Sequence, residues 1–229
     1  MTTTKINFMK KIFRQIVRYV SLIPILAFAV SCDEVEEGWD SPYVYVESYI
    51  PYYVNPDSLT LNESWKYHSE PGIVLTIKGR DIYQNIDSDK TQYMVLAKKY
   101  GDIGFNRKAA KGREGAISLA IDSISVVSDA DIDASHPKGT ELSDIVKLNT
   151  RSYYLFITSG YKDTNDQYTD KDKFISEYTK EDFSLLFNKH GLGFHFDNLD
   201  EIKGTHNLTI SIYFENGKKL SAIQSINFD

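Results

Sequence analysis

Apolar and polar positions alternate with a period of two along much of this chain, the signature of half-buried strands. Residues 43–50 (YVYVESYI) open the series with aromatic and β-branched side chains that suit a pleated surface. Pro51 and Pro56 end that run or confine it to an edge, because proline has no N–H for the ladder. Ile73, Leu75 and Ile77 alternate with Val74, Thr76 and Lys78, which predicts a second strand closed by Gly79. Tyr93 to Ala97, apolar on both faces, reads as a third and central strand, and the glycine- and lysine-rich residues 101–115 read as a mobile loop.

Ala116 to Val127 reads as one long strand whose inward parity changes between Ile121 and Ile124, so a bulge is expected near Asp122 and Ser123. Residues 128–149 form a polar connection with an apolar patch at Leu142, Ile145 and Val146, and 153–157 (YYLFI) predict a further strand. Thr179 stands three residues ahead of Asp182, like a capping box, so a helix is expected there, ended by Gly191. Leu208, Ile210, Ile212 and Phe214 alternate up to Asn216-Gly217, and the return run carries Leu220, Ile223, Ile226 and Phe228. This predicts a hairpin on a type I′ turn, with positive φ at both turn residues. Seven or so strands and one short helix point to an all-β fold, an antiparallel β-sandwich, with a closed barrel as the alternative.

The N-terminus follows a different pattern. Lys5, Lys10, Lys11, Arg14 and Arg18 precede an apolar segment from about Val20 to Val30 that ends in small residues, the build of a secretory signal. It is about half the roughly 20 apolar residues that span a bilayer. Met9 offers a second start. Val30-Ser31-Cys32 resembles a bacterial lipoprotein signal, with Ala29 where leucine is usual; the resemblance implies cleavage before Cys32, lipidation of that residue and attachment to the membrane through its acyl chains. Cys32 is the single cysteine, so no disulfide explains it. The acidic run Asp33-Glu34-Val35-Glu36-Glu37 resembles the surface-export signal of Bacteroidota lipoproteins, which implies display at the outer-membrane surface; the periplasmic face is the alternative. The expected organisation is a signal peptide at 1–31, an acidic tether at 32–41 and a β-sandwich domain at 42–229.

Without residues 1–31 the chain keeps 21 Lys+Arg against 32 Asp+Glu, a net charge of −11. Such acidity repels phosphate backbones and disfavours nucleic acid as a partner. Candidate chemistry is sparse. Asp129, Asp131 and Asp133 alternate like the first ligands of a calcium loop, but positions six and twelve hold Ala134 and Thr140 instead of Gly and Glu. Calcium is therefore a weak candidate beside a plain solvated acidic loop, and Asp163, Asn165, Asp166, Asp170 and Asp172 make a second such loop. His68, His136, His190, His195 and His206 form no helical metal pair. Gly-x-Ser-x-Gly, P-loop and dinucleotide motifs are absent, so the expectation is no enzyme and no cofactor. Tyr43, Tyr45 and Tyr49 share strand parity and are candidate ligand-binding aromatics for a sugar or protein partner, with core packing as the competing reading.

Residues 123–129 (SISVVSD), 136–144 (HPKGTELSD) and the Gly204-Thr205-His206 lead into the last hairpin resemble a group of uncharacterised Bacteroidales surface lipoproteins. The resemblance implies an immunoglobulin-like sandwich displayed from a membrane and supplies no catalytic residue. The expected function is a lipid-anchored interaction module. The alternatives are a glycan-binding component of a nutrient-uptake system and an adhesin or fimbria-like subunit.

Overall fold

The computed structural model describes residues 47–67, 70–106, 111–162, 167–196 and 202–228, within a compact unit spanning Val44–Asp229. Cys32, Tyr43, Tyr45 and the signal segment lie outside the described residues. The strands are β1 (Tyr52–Tyr67), β2 (Glu70–Tyr83), β3 (Ala116–Ile117), β4 (Ile121–Ser128), β5 (Val146–Ser152), β6 (Thr169–Phe174), β7 (Leu192–Phe196), β8 (Thr205–Phe214) and β9 (Lys219–Asn227). Helix α1 is Asp87–Tyr100 and helix α2 is Tyr154–Thr158. A six-stranded sheet has the order β3-β1-β2-β7-β5-β6 and a three-stranded sheet the order β4-β8-β9. All described pairings are antiparallel except β1 with β3.

Alternation along each strand sorts side chains into two cores. On β2, Ile73, Leu75 and Ile77 face the three-stranded sheet, where Ile124, Val126, Leu208, Ile210, Ile212 and Phe214 meet them. Ile82, of opposite parity, faces away into a second, aromatic core with Tyr49, Tyr53, Tyr93, Tyr153 and Phe156. A register shift between Pro56 and Ser58 switches parity on β1, so Leu59 and Leu61 rejoin the face of Tyr52 and Val54. Gly79 sits opposite Pro56 at this shift, and a Cβ there would lie 1.8 Å from the Asn55 carbonyl oxygen. Gly79 therefore lets β2 run on to Tyr83 instead of closing it. The two facing antiparallel sheets bear out an all-β sandwich.

Several elements differ from the expected ones. Residues 93–97 belong to α1, not to a strand. Asp89, Tyr93, Ala97 and Tyr100 form its buried stripe, while Val95 is 62% exposed. The helix ends in a Schellman arrangement: Gly101 takes φ 76°, its N–H reaches the Lys98 carbonyl, and Asp102 N–H reaches Ala97 O at 2.8 Å. Residues 154–158 likewise form α2, and the strand lies just before it as β5. The span 116–127 divides between the two sheets as β3 and β4, with the expected bulge found between Ile121 and Ser123. Thr179 and Asp182 do exchange capping-type bonds, Thr179 N–H to Asp182 Oδ2 at 2.9 Å and Asp182 N–H to Thr179 Oγ1 at 3.4 Å. No helix follows, because Leu185 turns left-handed (φ 52°) and Leu186 and Phe187 bridge to Ser152 and Ala116. The 101–115 segment is tied in at both ends of its described part: Phe105 is buried, and Gly112 N–H bonds Tyr49 O.

The terminal hairpin forms as expected with a different turn. Only Gly217 has positive φ (81°); Gly217 N–H bonds Phe214 O, and the Asn216 side chain accepts Lys218 N–H. That is an ordinary turn followed by a left-handed glycine, the three-residue hairpin loop, instead of type I′.

Candidate functional site

The aromatic candidates separate at once. Tyr49 is 1% exposed and meets Phe105, Tyr153 and Phe156 edge-on at 4.9–5.5 Å. Burial pushes its hydroxyl up to about 12, and that hydroxyl donates to Gln167. Tyr49 is a core residue, so the ligand-binding reading fails for it. The three candidate calcium aspartates each accept backbone N–H groups, Asp129 from strand β8 and the other two from their own loop. Asp129 accepts Asn207 N–H at 2.8 Å, Asp131 accepts Lys138 N–H at 2.6 Å, and Asp133 accepts Ser135 and His136 N–H at 2.7 and 2.8 Å. Among the described residues no group of three or more His, Cys, Asp or Glu converges for a metal ion.

Chemistry-bearing side chains gather instead on the outer face of the six-stranded sheet, where β7, β5 and β6 adjoin. Asp170 and Asp172 share the outward parity of β6, opposite Arg151 and Asn149 of β5. Arg151 Nε donates to Asp170 at 2.5 Å, and its guanidinium lies 5.0 Å from the Tyr168 ring. His195 Nε2 pairs with Asp172 at 2.7 Å, and Lys147 sits 5.2 Å from the Phe174 ring. In the turn before β7, Glu114 accepts the backbone N–H groups of Lys189 and His190 at 2.6 and 2.8 Å. Desolvation, and then the nearby Arg151 charge, hold His190 below its ordinary value. The face thus presents planar polar groups, joined by hydrogen bonds and flanked by two aromatic rings. It suits hydrogen-bonding recognition, and an imidazole oriented by a carboxylate is also what general-base chemistry uses. Sequence reading placed Asp170 and Asp172 in an acidic loop; their role needs the β5–β6 register.

Two further polar constellations are internal. Asp102, fully buried, accepts Tyr49 N–H at 2.7 Å, Ile50 N–H at 2.9 Å and the Tyr161 hydroxyl at 3.0 Å. Burial raises its carboxyl despite those donors. It fixes the segment leading into β1 to the end of α1. Ser128 Oγ lies 2.9 Å from His206 Nδ1, and His206 Nε2 lies 3.0 Å from the Lys203 carbonyl. A carbonyl only accepts, so Nε2 carries a proton and donates to Lys203. The pair resembles a nucleophile with its base, but Ser128 and His206 are 3% and 2% exposed. With the ring packed against Phe228, they pin the β4–β8 ladder to its neighbours.

Comparison with protein-family models, with curated proteins and with solved structures returns no match.

Proposed function

We propose that this chain is a lipid-anchored envelope lipoprotein, held through acyl chains on Cys32, whose β-sandwich acts as a surface-displayed interaction module and not as an enzyme. The observation that carries the reading is the single cysteine placed directly after a basic segment and a short apolar run. The acidic residues 33–37 support outward display. Two antiparallel sheets over a shared core support the immunoglobulin-like type; the parallel β1–β3 contact and α1 are additions to it. Expression in a Gram-negative host with a radiolabelled fatty acid tests the anchor. The expected result is label and membrane retention for the native chain and loss of both in Cys32→Ala; label that persists without Cys32 overturns the reading.

A second reading, glycan binding, is favoured by the β5–β6–β7 face, with Tyr168 and Phe174 beside Asn149, Arg151, Asp172 and His195. Vicinal sugar hydroxyls, which both donate and accept, match a donor such as Arg151 set beside an acceptor such as Asp172, and the opposite charges of Arg151 and Asp170 favour a neutral saccharide. On a glycan array, binding that Arg151→Ala and Asp172→Ala abolish supports it, and binding indifferent to both removes this face as the site.

A further inference from the structure

We propose that β9 is a pairing edge through which two copies of this chain join antiparallel, strand against strand, about a two-fold axis at Ile223. The phase of the β8–β9 ladder identifies the free groups. Phe214 N–H bonds Lys218 O at 2.9 Å at one end, and Phe228 N–H bonds Gly204 O at 3.0 Å at the other. Antiparallel residues alternate between bonded and non-bonded pairs. Leu220, Ala222, Gln224 and Ile226 therefore direct their backbone groups at β8, and Ser221, Ile223 and Ser225 direct theirs outward. Among the described residues nothing bonds the outward N–H and C=O of Ser221 and Ile223; the Ser225 carbonyl takes the neighbouring Gln224 amide at 3.1 Å. Strand β1 comes near at the hairpin end, where Lys218 Nζ reaches Pro56 O at 2.5 Å, but shares no ladder with β9.

The other end strands of the two sheets, β3, β4 and β6, are guarded, as edges in soluble proteins generally are. Strand β6 turns Lys171 and Lys173 inward onto Asp182. Strand β4 is covered by a loop: Gly139 N–H bonds Ser128 O, Leu142 N–H bonds Val126 O, and the Glu141 carboxylate accepts Val126 N–H. Strand β3 is two residues long and is closed off by Leu186 and Phe187. Among the described residues none of these devices guards strand β9. It carries no charge from Leu220 to Asn227, no proline and no bulge, and Ile223 at its centre is 67% exposed.

The strand's own sequence selects a second copy as the occupant. Ser221-Ala222-Ile223-Gln224-Ser225 reads nearly the same in both directions. Antiparallel pairing about Ile223 sets Ile223 against Ile223, Ser221 against Ser225, Ala222 against Gln224 and Lys219 against Asn227. No like charges meet, and Ile223 falls at a position whose backbone groups point outward, so the pair at the axis exchanges both bonds.

Cysteine cross-linking of the full-length protein tests the register, with the native chain controlling for Cys32. At the axis the Cα atoms stand about 5.5 Å apart, within disulfide reach, whereas two copies of position 221 stand about 13 Å apart. Ile223→Cys is expected to give a dimer band on mild oxidation, and so is Ser221→Cys combined with Ser225→Cys; Ser221→Cys alone is expected to stay monomeric. Ile223→Lys is expected to lower the dimer fraction in sedimentation while leaving the near- and far-ultraviolet dichroism of the folded chain unchanged. No band from Ile223→Cys, equal bands from Ser221→Cys alone, or an undiminished Ile223→Lys dimer overturns the proposal. None of these outcomes depends on what anchors the chain.

Discussion

At Asp182 burial pushes the carboxyl up, but bonds from Lys171, the Thr179 N–H and Lys173 outweigh it and hold the group well below the usual carboxylate range. A depressed carboxylate contributes stability above its unfolded value, and that contribution is lost as pH falls through the folded one. Asp182→Asn is expected to cost about 2 kcal/mol at neutral pH and to flatten the stability profile below about pH 4. Thermal unfolding followed by circular dichroism from pH 2.5 to 7 measures both effects; parallel profiles for variant and native chain remove the assignment. His136 has the opposite sign. Its Nδ1 lies 2.9 Å from Asp133 and its Nε2 3.3 Å from Asp144, which raise its value. Its contribution is complete below about pH 6.5 and disappears as pH rises through the raised value. The melting temperature of the native chain is expected to fall across that window, and His136→Gln to abolish the fall. Neither role was legible in the sequence. Asp182 lies in an apolar run that resembles a helix start, and its lysines sit on β6, reachable only once β5 and β6 are in register. Tyr49 shows the same limit: alternation gave its parity but not which face would be covered.

At the scale of elements, short apolar runs are ambiguous where long alternation is not. The β8–β9 hairpin was readable because its period of two persists on both sides of a glycine turn. Residues 93–97 contain only five positions, and a buried helix segment and a central strand look alike over that length. The distinguishing signals lay outside the run, in Asp87 and Asp89 of the first turn and Gly101 just past the last. β6 and β7 escaped notice for separate reasons: TDKDKF is charged on both faces, and LGFHF is apolar with a glycine inside. Paired substitutions check the helix. Tyr93→Ala removes a fully buried ring that bridges α1 to Tyr53 and is expected to cost about 3–5 kcal/mol. Val95→Lys, on the solvent side, is expected to change stability by less than about 0.5 kcal/mol. In a central strand both changes would be ruinous, so a large loss from Val95→Lys in chemical denaturation would overturn the helical assignment.

At the scale of the whole molecule, the six-stranded sheet is the shared wall of two cores. Sequence alternation was enough to indicate an all-β fold, and left two facing sheets and a closed barrel as alternatives. It could not show that the second face is also covered, because that cover comes from two helices, α1 and α2, and the irregular segment at Tyr49 and Ile50. Strand β2 carries both commitments within eight residues: Leu75 into the inter-sheet core and Ile82 into the aromatic one, each fully buried. Strand β1 does the same with consecutive residues, Val54 and Tyr53. Loss of the aromatic layer would expose Tyr53 and Ile82 on the same strands that carry Val54 and Leu75 in the inter-sheet core, which couples the two cores. Unfolding is therefore expected to be a single transition. Near-ultraviolet dichroism, dominated by the tyrosines of the aromatic core, and far-ultraviolet dichroism should give coincident denaturant midpoints. Leu75→Ala and Ile82→Ala should each cost about 2–5 kcal/mol and shift both signals together. If Ile82→Ala moved the tyrosine signal alone, the aromatic layer would be a separately folding cap, and the sandwich would be complete without it.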